Sequence, residues 1–129
     1  MKLSILVPIY NAESYLRSCL DTLVGQTLDD IEIICINDGS TDSSASIVAE
    51  YAAHDDRIRV ITKANSGYGD SMNRGMREAR GEWVGICEPD DFCDLHMYER
   101  LVGAAERHDC DIAKANYRQH EQGSMDDSV

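Results

Sequence analysis

The sequence predicts an α/β domain: three layers, α/β/α, around a mostly parallel, Rossmann-like sheet. Three observations predict it. Short apolar runs alternate along the chain with stretches of helical apolar spacing. The first two runs, at residues 3–7 and 31–36, are mostly apolar, as centrally buried strands of a parallel sheet are. Polar or glycine-containing loops follow four of the strand ends, where open parallel sheets bind their ligands.

Taken in order, Leu3-Ser4-Ile5-Leu6-Val7 reads as the first strand. Asn11 is suited to cap a first helix whose inner face carries Tyr15, Leu16, Cys19, Leu20, Leu23 and Val24. Ile31 to Ile36 reads as the second strand. Ser40, Thr41 and Asp42 offer capping groups to a second helix with Ile47, Val48, Tyr51 and Ala52 inward. Arg57 to Ile61 is a short third strand, and the loop Asn65-Ser66-Gly67-Tyr68-Gly69 follows. A third helix is expected from Asp70 to Arg80, with Met72, Met76 and Ala79 inward and Gly81 as its C-cap glycine. Trp83 to Cys87 is a fourth strand, and Tyr98, Leu101, Val102 and Ala105 mark a fourth helix. Asp111 to Ala115 is a candidate fifth strand, and the chain from Gln119 is polar without periodicity. The organisation expected is one domain over residues 1–118 and a polar tail over 119–129. Alternating strands and helices imply βαβ units with right-handed crossovers.

Composition narrows the function classes. Hydrophobic residues make up 43% and charged residues 28%, which fits a globular domain and not a disordered chain. The net charge of −12 argues against nucleic acid and against an anionic membrane as partners. A phosphorylated small molecule remains compatible with that charge if a divalent cation bridges it to the protein. No apolar run is long enough to span a bilayer. The opening MKLSILVPIYNA reads as a buried strand and not a signal peptide, because its apolar stretch is brief, contains Pro8 and lacks a small-residue cleavage site. The five cysteines are odd in number and form no C-x-x-C pair, so reduced, mostly buried thiols are expected. Cys87, Cys93 and His96 match no common zinc spacing. The expected location is the cytoplasm, the inner face of the membrane included.

The strand-end loops carry the candidate chemistry. Asp38 follows a buried strand and precedes a glycine, where a carboxylate can accept from a base N–H or a ribose hydroxyl. Asp-Gly is equally a common turn signal. Glu88-Pro89-Asp90-Asp91 puts three acids in four residues, which repel unless a cation neutralises them. Mg²⁺ and Mn²⁺ take such oxygens and share them with substrate phosphates. The alternative is an acidic turn capping the helix that starts near Asp94.

Four motifs in this order and spacing resemble family 2 glycosyltransferases of the GT-A fold: SILVPIYNAESYL, INDGSTDSS, ANSGYGDSMNRGMREARGEWVGIC and EPDDF. The resemblance runs from about Leu3 to Val102. It implies that Pro8 and Tyr10 line a base pocket, that Asp38 hydrogen-bonds the base, and that the loop at Asn65 and Gly67 lies beside the nucleotide. It further implies that Asp90 contacts the ribose or metal region and that Asp91 coordinates a divalent cation, Mn²⁺ or Mg²⁺, on the diphosphate. Glu88 departs from the family's more frequent Asp, and Asn37 stands where another Asp is common. The implied function is metal-dependent, inverting sugar transfer from a nucleotide-diphosphate donor, a UDP-sugar foremost, to a glycan or other hydroxyl acceptor in polysaccharide or cell-surface glycan synthesis. The family's catalytic base lies downstream, so none is assigned; Asp109, Asp111, Asp126 and Asp127 are unplaced acids. An absent acceptor half, little transfer by this chain alone, and self-association through the face so exposed are the accompanying expectations. A dinucleotide-dependent dehydrogenase would need G-x-G-x-x-G after the first strand, where Pro8-Ile9-Tyr10-Asn11-Ala12 stands, and a P-loop is also missing. The surviving alternative is a non-catalytic nucleotide-binding or protein-interaction module that keeps the fold, which sugar turnover would distinguish.

Overall fold

Every residue of β1 (Leu3–Ile9) and β2 (Ile31–Asp38) is buried, so both strands need cover on both faces. The computed structural model, which describes residues 1–90 and 93–107, provides it. Between and after these strands come α1 (Glu13–Val24), α2 (Ser44–His54), β3 (Ile58–Lys63), α3 (Tyr68–Glu78), β4 (Trp83–Ile86) and α4 (Met97–Arg107). The four strands form one parallel sheet in the order β3-β2-β1-β4.

Alternate residues of the central strands feed two cores. Ile5, Val7, Ile9, Ile33 and Cys35 pack with Leu16, Leu20 and Leu23 of α1, Ile47 and Val48 of α2, and Leu101 and Val102 of α4. Leu6, Ile34, Ile36 and Ile61 face the other way, against Met72 and Ala79. The α/β/α layering expected from the sequence is therefore present. The candidate strand at Asp111–Ala115 and the tail from Gln119 lie outside the described residues.

Helix α3 sits very close to the sheet. A Cβ on Gly75 would come within 3.0 Å of Leu6 Cδ1 and 3.1 Å of Ile36 Cδ1. The chain crosses from β3 over β2 and β1 to reach β4, so strand order reverses between β1 and β4. Such a reversal leaves a crevice at the carboxyl ends of the strands.

Several local expectations are corrected. Asn11 does not cap α1; the residue at that position is Ala12, without a side-chain cap. Asn11 has a left-handed φ of 48°, and its Oδ1 accepts from the Thr41 N–H at 2.7 Å instead. Tyr15 and Met76 point outward, not into the core. Helix α3 starts at Tyr68 and ends at Glu78, with Ser71 and Gly75 as its buried residues. Gly81 is not the C-cap, which is Ala79. Its lack of a side chain answers a different need, since a Cβ there would lie 2.6 Å from the Ser4 amide nitrogen. β1 continues through Pro8 because of how its polar groups alternate. Leu6 C=O accepts from Cys87 N–H on the β4 side, so Pro8, two residues on, faces that side too. β4 has ended there, and the missing N–H breaks no ladder bond.

One ionic cluster ties α3 and β4 to the sheet. Glu32 is almost fully buried and accepts from Arg59 at 2.8 Å, from the Arg80 N–H at 2.7 Å, and from the Ser4 hydroxyl. Arg59 also donates to the Glu78 carbonyl at 2.9 Å, closing the last turn of α3. Burial pushes the Glu32 carboxyl up, but the bonds from Ser4, Arg80 and Arg59 outweigh it and hold the group below its ordinary 4.5. Removing the cation strands a buried carboxylate, so Arg59→Ala should cost about 3 kcal/mol in urea unfolding at pH 7. Because the folded pKa is depressed, the stabilisation is full above the ordinary value and fades as pH falls through the folded one. The stability gap between wild type and Glu32→Gln should therefore shrink on going from pH 7 to pH 3; a constant gap would contradict the ionised assignment.

Candidate functional site

A cavity of about 490 Å³ opens at the carboxyl ends of the strands, beside the β1–β4 reversal. The end of β1 contributes Pro8 and Tyr10, β2 contributes Asp38, and the loop before α3 contributes Asn65 and Gly67. Tyr68 and Ser71 enter from α3, and Glu88, Pro89 and Asp90 from beyond β4. The structure thus brings together Pro8, Tyr10, Asp38, Asn65, Gly67 and Asp90 of the expected site. Asp91 lies outside the described residues.

The loops are held by one another. Asn11 N–H donates to Ser40 Oγ at 3.0 Å, and Ala12 N–H donates to Ser44 Oγ at 2.9 Å. The Asp42 carboxylate accepts from the amides of Glu13 and Ser44, joining the starts of α1 and α2. Asn37 Oδ1 accepts from Ser40 N–H at 3.1 Å, so the residue that departs from the family's Asp serves the turn. Gly39 has φ 69°, and a Cβ there would lie 2.7 Å from the Asn65 amide nitrogen. That glycine lets the second and third loops touch.

Asp38 is the joint between them. Its Oδ1 accepts from Lys63 Nζ and from Ser66 N–H at 2.8 Å, and its Oδ2 accepts from Gly67 N–H at 3.0 Å. The Lys63 hydrogen bond holds the carboxyl below its ordinary 3.8, and the two amides add to this against the opposing pull of burial. Asp38 is therefore a carboxylate at neutral pH, and the described residues leave one acceptor position on Oδ2. Across the cavity, the Tyr68 hydroxyl donates to Glu88 Oε1 at 2.8 Å. Burial and the Glu88 carboxylate push the Tyr68 hydroxyl up to about 12, so it stays protonated and keeps donating.

Beneath the acidic loop, the Cys87 sulfur lies 3.1 Å from that of Cys93 and 3.7 Å from that of Cys19. Hydrogen bonds from these neighbours, with burial, push the Cys87 thiol well up. His96 is elsewhere, with Nδ1 3.3 Å from Thr27 Oγ1. Among the described residues no group of three or more His, Cys, Asp or Glu is arranged to hold a metal ion. Among the described residues, Glu88 and Asp90 are acids of the motif that border the cavity.

Sequence reasoning missed Tyr15, Tyr68 and Ser71 as cavity residues and Lys63 as the partner of Asp38. Lys63 carried a signal: it ends β3 in register with Asp38, where a second charge on a buried strand needs an opposite one.

The parallel sheet, its flanking helices and the crevice at the strand ends are the architecture of a GT-A domain. The model of the family described as glycosyl transferase family 2 matches residues 4–128, and the chain belongs to that family. It is 44% identical over 114 residues to a Bacillus subtilis (strain 168) protein called uncharacterized glycosyltransferase EpsJ, covering 88% of this chain and 33% of that one. Among solved structures, Staphylococcus aureus TarS 1-349 in complex with UDP superposes with a TM-score of 0.78 at 27% identity, over 84% of this chain and 33% of TarS 1-349. The same protein in complex with UDP-GlcNAc gives 0.78 at 29% identity, over 84% and 32%. The chain thus spans about a third of the length of each. Among the described residues no helix is long and apolar enough to cross a membrane.

Lys63→Met should let the Asp38 pKa rise towards its ordinary value, because the hydrogen bond that lowers it most is gone. A ¹³C NMR titration of the Asp38 carboxyl reads this directly, and an unchanged midpoint would contradict the assigned cause.

Proposed function

We propose that the cavity binds the nucleoside diphosphate of a sugar donor, with uracil as the base, and that this chain is the donor-binding part of a glycosyltransferase. The observation that carries the reading is the state of Asp38. An ionised carboxylate offers about four acceptor positions, and three are taken by Lys63, Ser66 and Gly67. The one left, on Oδ2, suits a single imide N–H, as uracil presents at N3. Guanine pairs best with a carboxylate through two adjacent N–H groups, one to each oxygen, and Oδ1 has no position free. Cytosine can donate only from its exocyclic N4, which sets the N3 lone pair beside the carboxylate, and an ionised Asp38 disfavours that arrangement. The TarS structures with UDP and UDP-GlcNAc support the same base.

Pro8 and Tyr10 then flank the base, Asn65 and Gly67 border the nucleoside, and Asp90 lies towards the ribose and phosphates. The chemistry of the donor set suits a hard cation: Asp90 faces the cavity, Asp91 follows it, and Glu88 spends one oxygen on Tyr68. Mn²⁺ or Mg²⁺ bound by Asp91 and Asp90 would supply positive charge to the departing diphosphate. The reaction we assign is inverting transfer to a glycan or other hydroxyl acceptor, in polysaccharide or cell-surface glycan synthesis. A base for that hydroxyl is not assigned among the described residues. Protonated, buried thiols at Cys35 and Cys87 fit a cytoplasmic, reducing compartment.

A thermal-shift series with UDP, GDP, CDP and dTDP, each with Mn²⁺, tests the reading. UDP at about 100 times its Kd should add about 2.7 kcal/mol of apparent stability. GDP and CDP should add much less, and Asp91→Asn should remove the Mn²⁺-dependent part. Equal shifts for all bases would sink the Asp38 argument, and no shift with any would sink the nucleotide site.

A further inference from the structure

We propose that the Ser71 hydroxyl is a second base contact, donating to the uracil carbonyl next to the N–H that Asp38 accepts. The inference rests on the reading of the cavity as a uridine-nucleotide site. Ser71 lines that cavity on α3 and is 1% exposed, yet its Oγ has no hydrogen-bond partner among the described residues. A buried hydroxyl without a partner forfeits about 1–3 kcal/mol, so native structures rarely leave one without a use.

Its place follows from the packing of α3. Gly75 lies against Leu6 and Ile36. Ser71 is one turn before Gly75, on the same helix face. The helix returns from the carboxyl ends of the strands, so one turn back along it corresponds to two residues forward along β1 and β2. Those residues are Pro8 and Asp38, which share the α3 face of the sheet with Leu6 and Ile36. Ser71 thus stands over Pro8 and Asp38 as Gly75 stands over Leu6 and Ile36. Rotation about χ1 moves the hydroxyl between staggered positions without disturbing the helix.

Both carbonyls of uracil adjoin N3–H. A base whose N3–H meets Asp38 therefore brings a carbonyl oxygen towards the neighbouring wall, and Ser71 supplies the O–H donor there. An acceptor at Asp38 beside a donor at Ser71 matches an imide edge. In free protein the hydroxyl adds nothing to stability, so the two roles separate experimentally.

The test is calorimetric titration of UDP with Mn²⁺ into wild type and Ser71→Ala, with urea unfolding of both free proteins. Ser71→Ala should bind UDP about tenfold more weakly, the worth of one hydrogen bond in a dry site. The free variant should unfold at the same urea concentration or a higher one. Titrations with 2-thio-UDP and 4-thio-UDP then identify the carbonyl. Sulfur accepts poorly, so the loss on Ser71→Ala should nearly vanish for one of the two. Unchanged UDP affinity, or equal losses for UDP and both thio analogues, would overturn the contact while wild-type binding leaves the nucleotide reading standing. Failure of wild type to bind UDP would overturn both.

Discussion

The structure depends on covering both faces of β1 and β2. Strands buried along their whole length leave no edge or face for solvent, so α1, α2 and α4 close one side and α3 closes the other. Covering the second face requires one crossover to run the opposite way, over β2 and β1 to β4. The crevice at the strand ends is the geometric residue of that reversal. The site is therefore located by the same hydrophobic requirement that builds the core, and Gly75 sets how closely α3 approaches its floor.

Within the crevice, Asp38 links fold to chemistry. Its carboxylate orders the 65–67 loop through two backbone amides and is kept charged by Lys63. A carboxylate that structural donors occupy this fully has little acceptor capacity left. On the function proposed above, the bonds that make Asp38 a loop anchor also leave a single position for a ligand.

Much of this was legible in the sequence. Apolar runs separated by helical periods gave the four strands and four helices in order, because each run must be buried and each helix must present one face. The polar residues at four strand ends pointed to one edge, and Pro8, Tyr10, Asp38, Asn65, Gly67 and Asp90 meet there. What was not legible depends on contacts between distant segments. Asn11 has the chemistry of a helix cap, but the loop after β2 lies within its reach and outcompetes α1. Tyr15 has helical spacing with the core residues of α1, yet it lines the cavity and stays exposed. Gly81 looks like a helix stop because its true constraint is the backbone of Ser4, far away in sequence. Ser71 is a small polar residue in a helix, and only the fold reveals that its hydroxyl has no hydrogen-bond partner among the described residues.

Family membership and the superposition on TarS are compatible with a donor site at these strand ends. The central claim is that Asp38, with one acceptor position free, reads the imide of uracil in this cavity. A crystal structure of the chain with UDP and Mn²⁺ tests it most directly. The account predicts the uracil ring beside Tyr10, with N3 within hydrogen-bonding distance of Asp38 Oδ2 and with Lys63, Ser66 and Gly67 still on the carboxylate. A base turned away from Asp38, or a nucleotide seated anywhere other than the β1–β4 crevice, would contradict it.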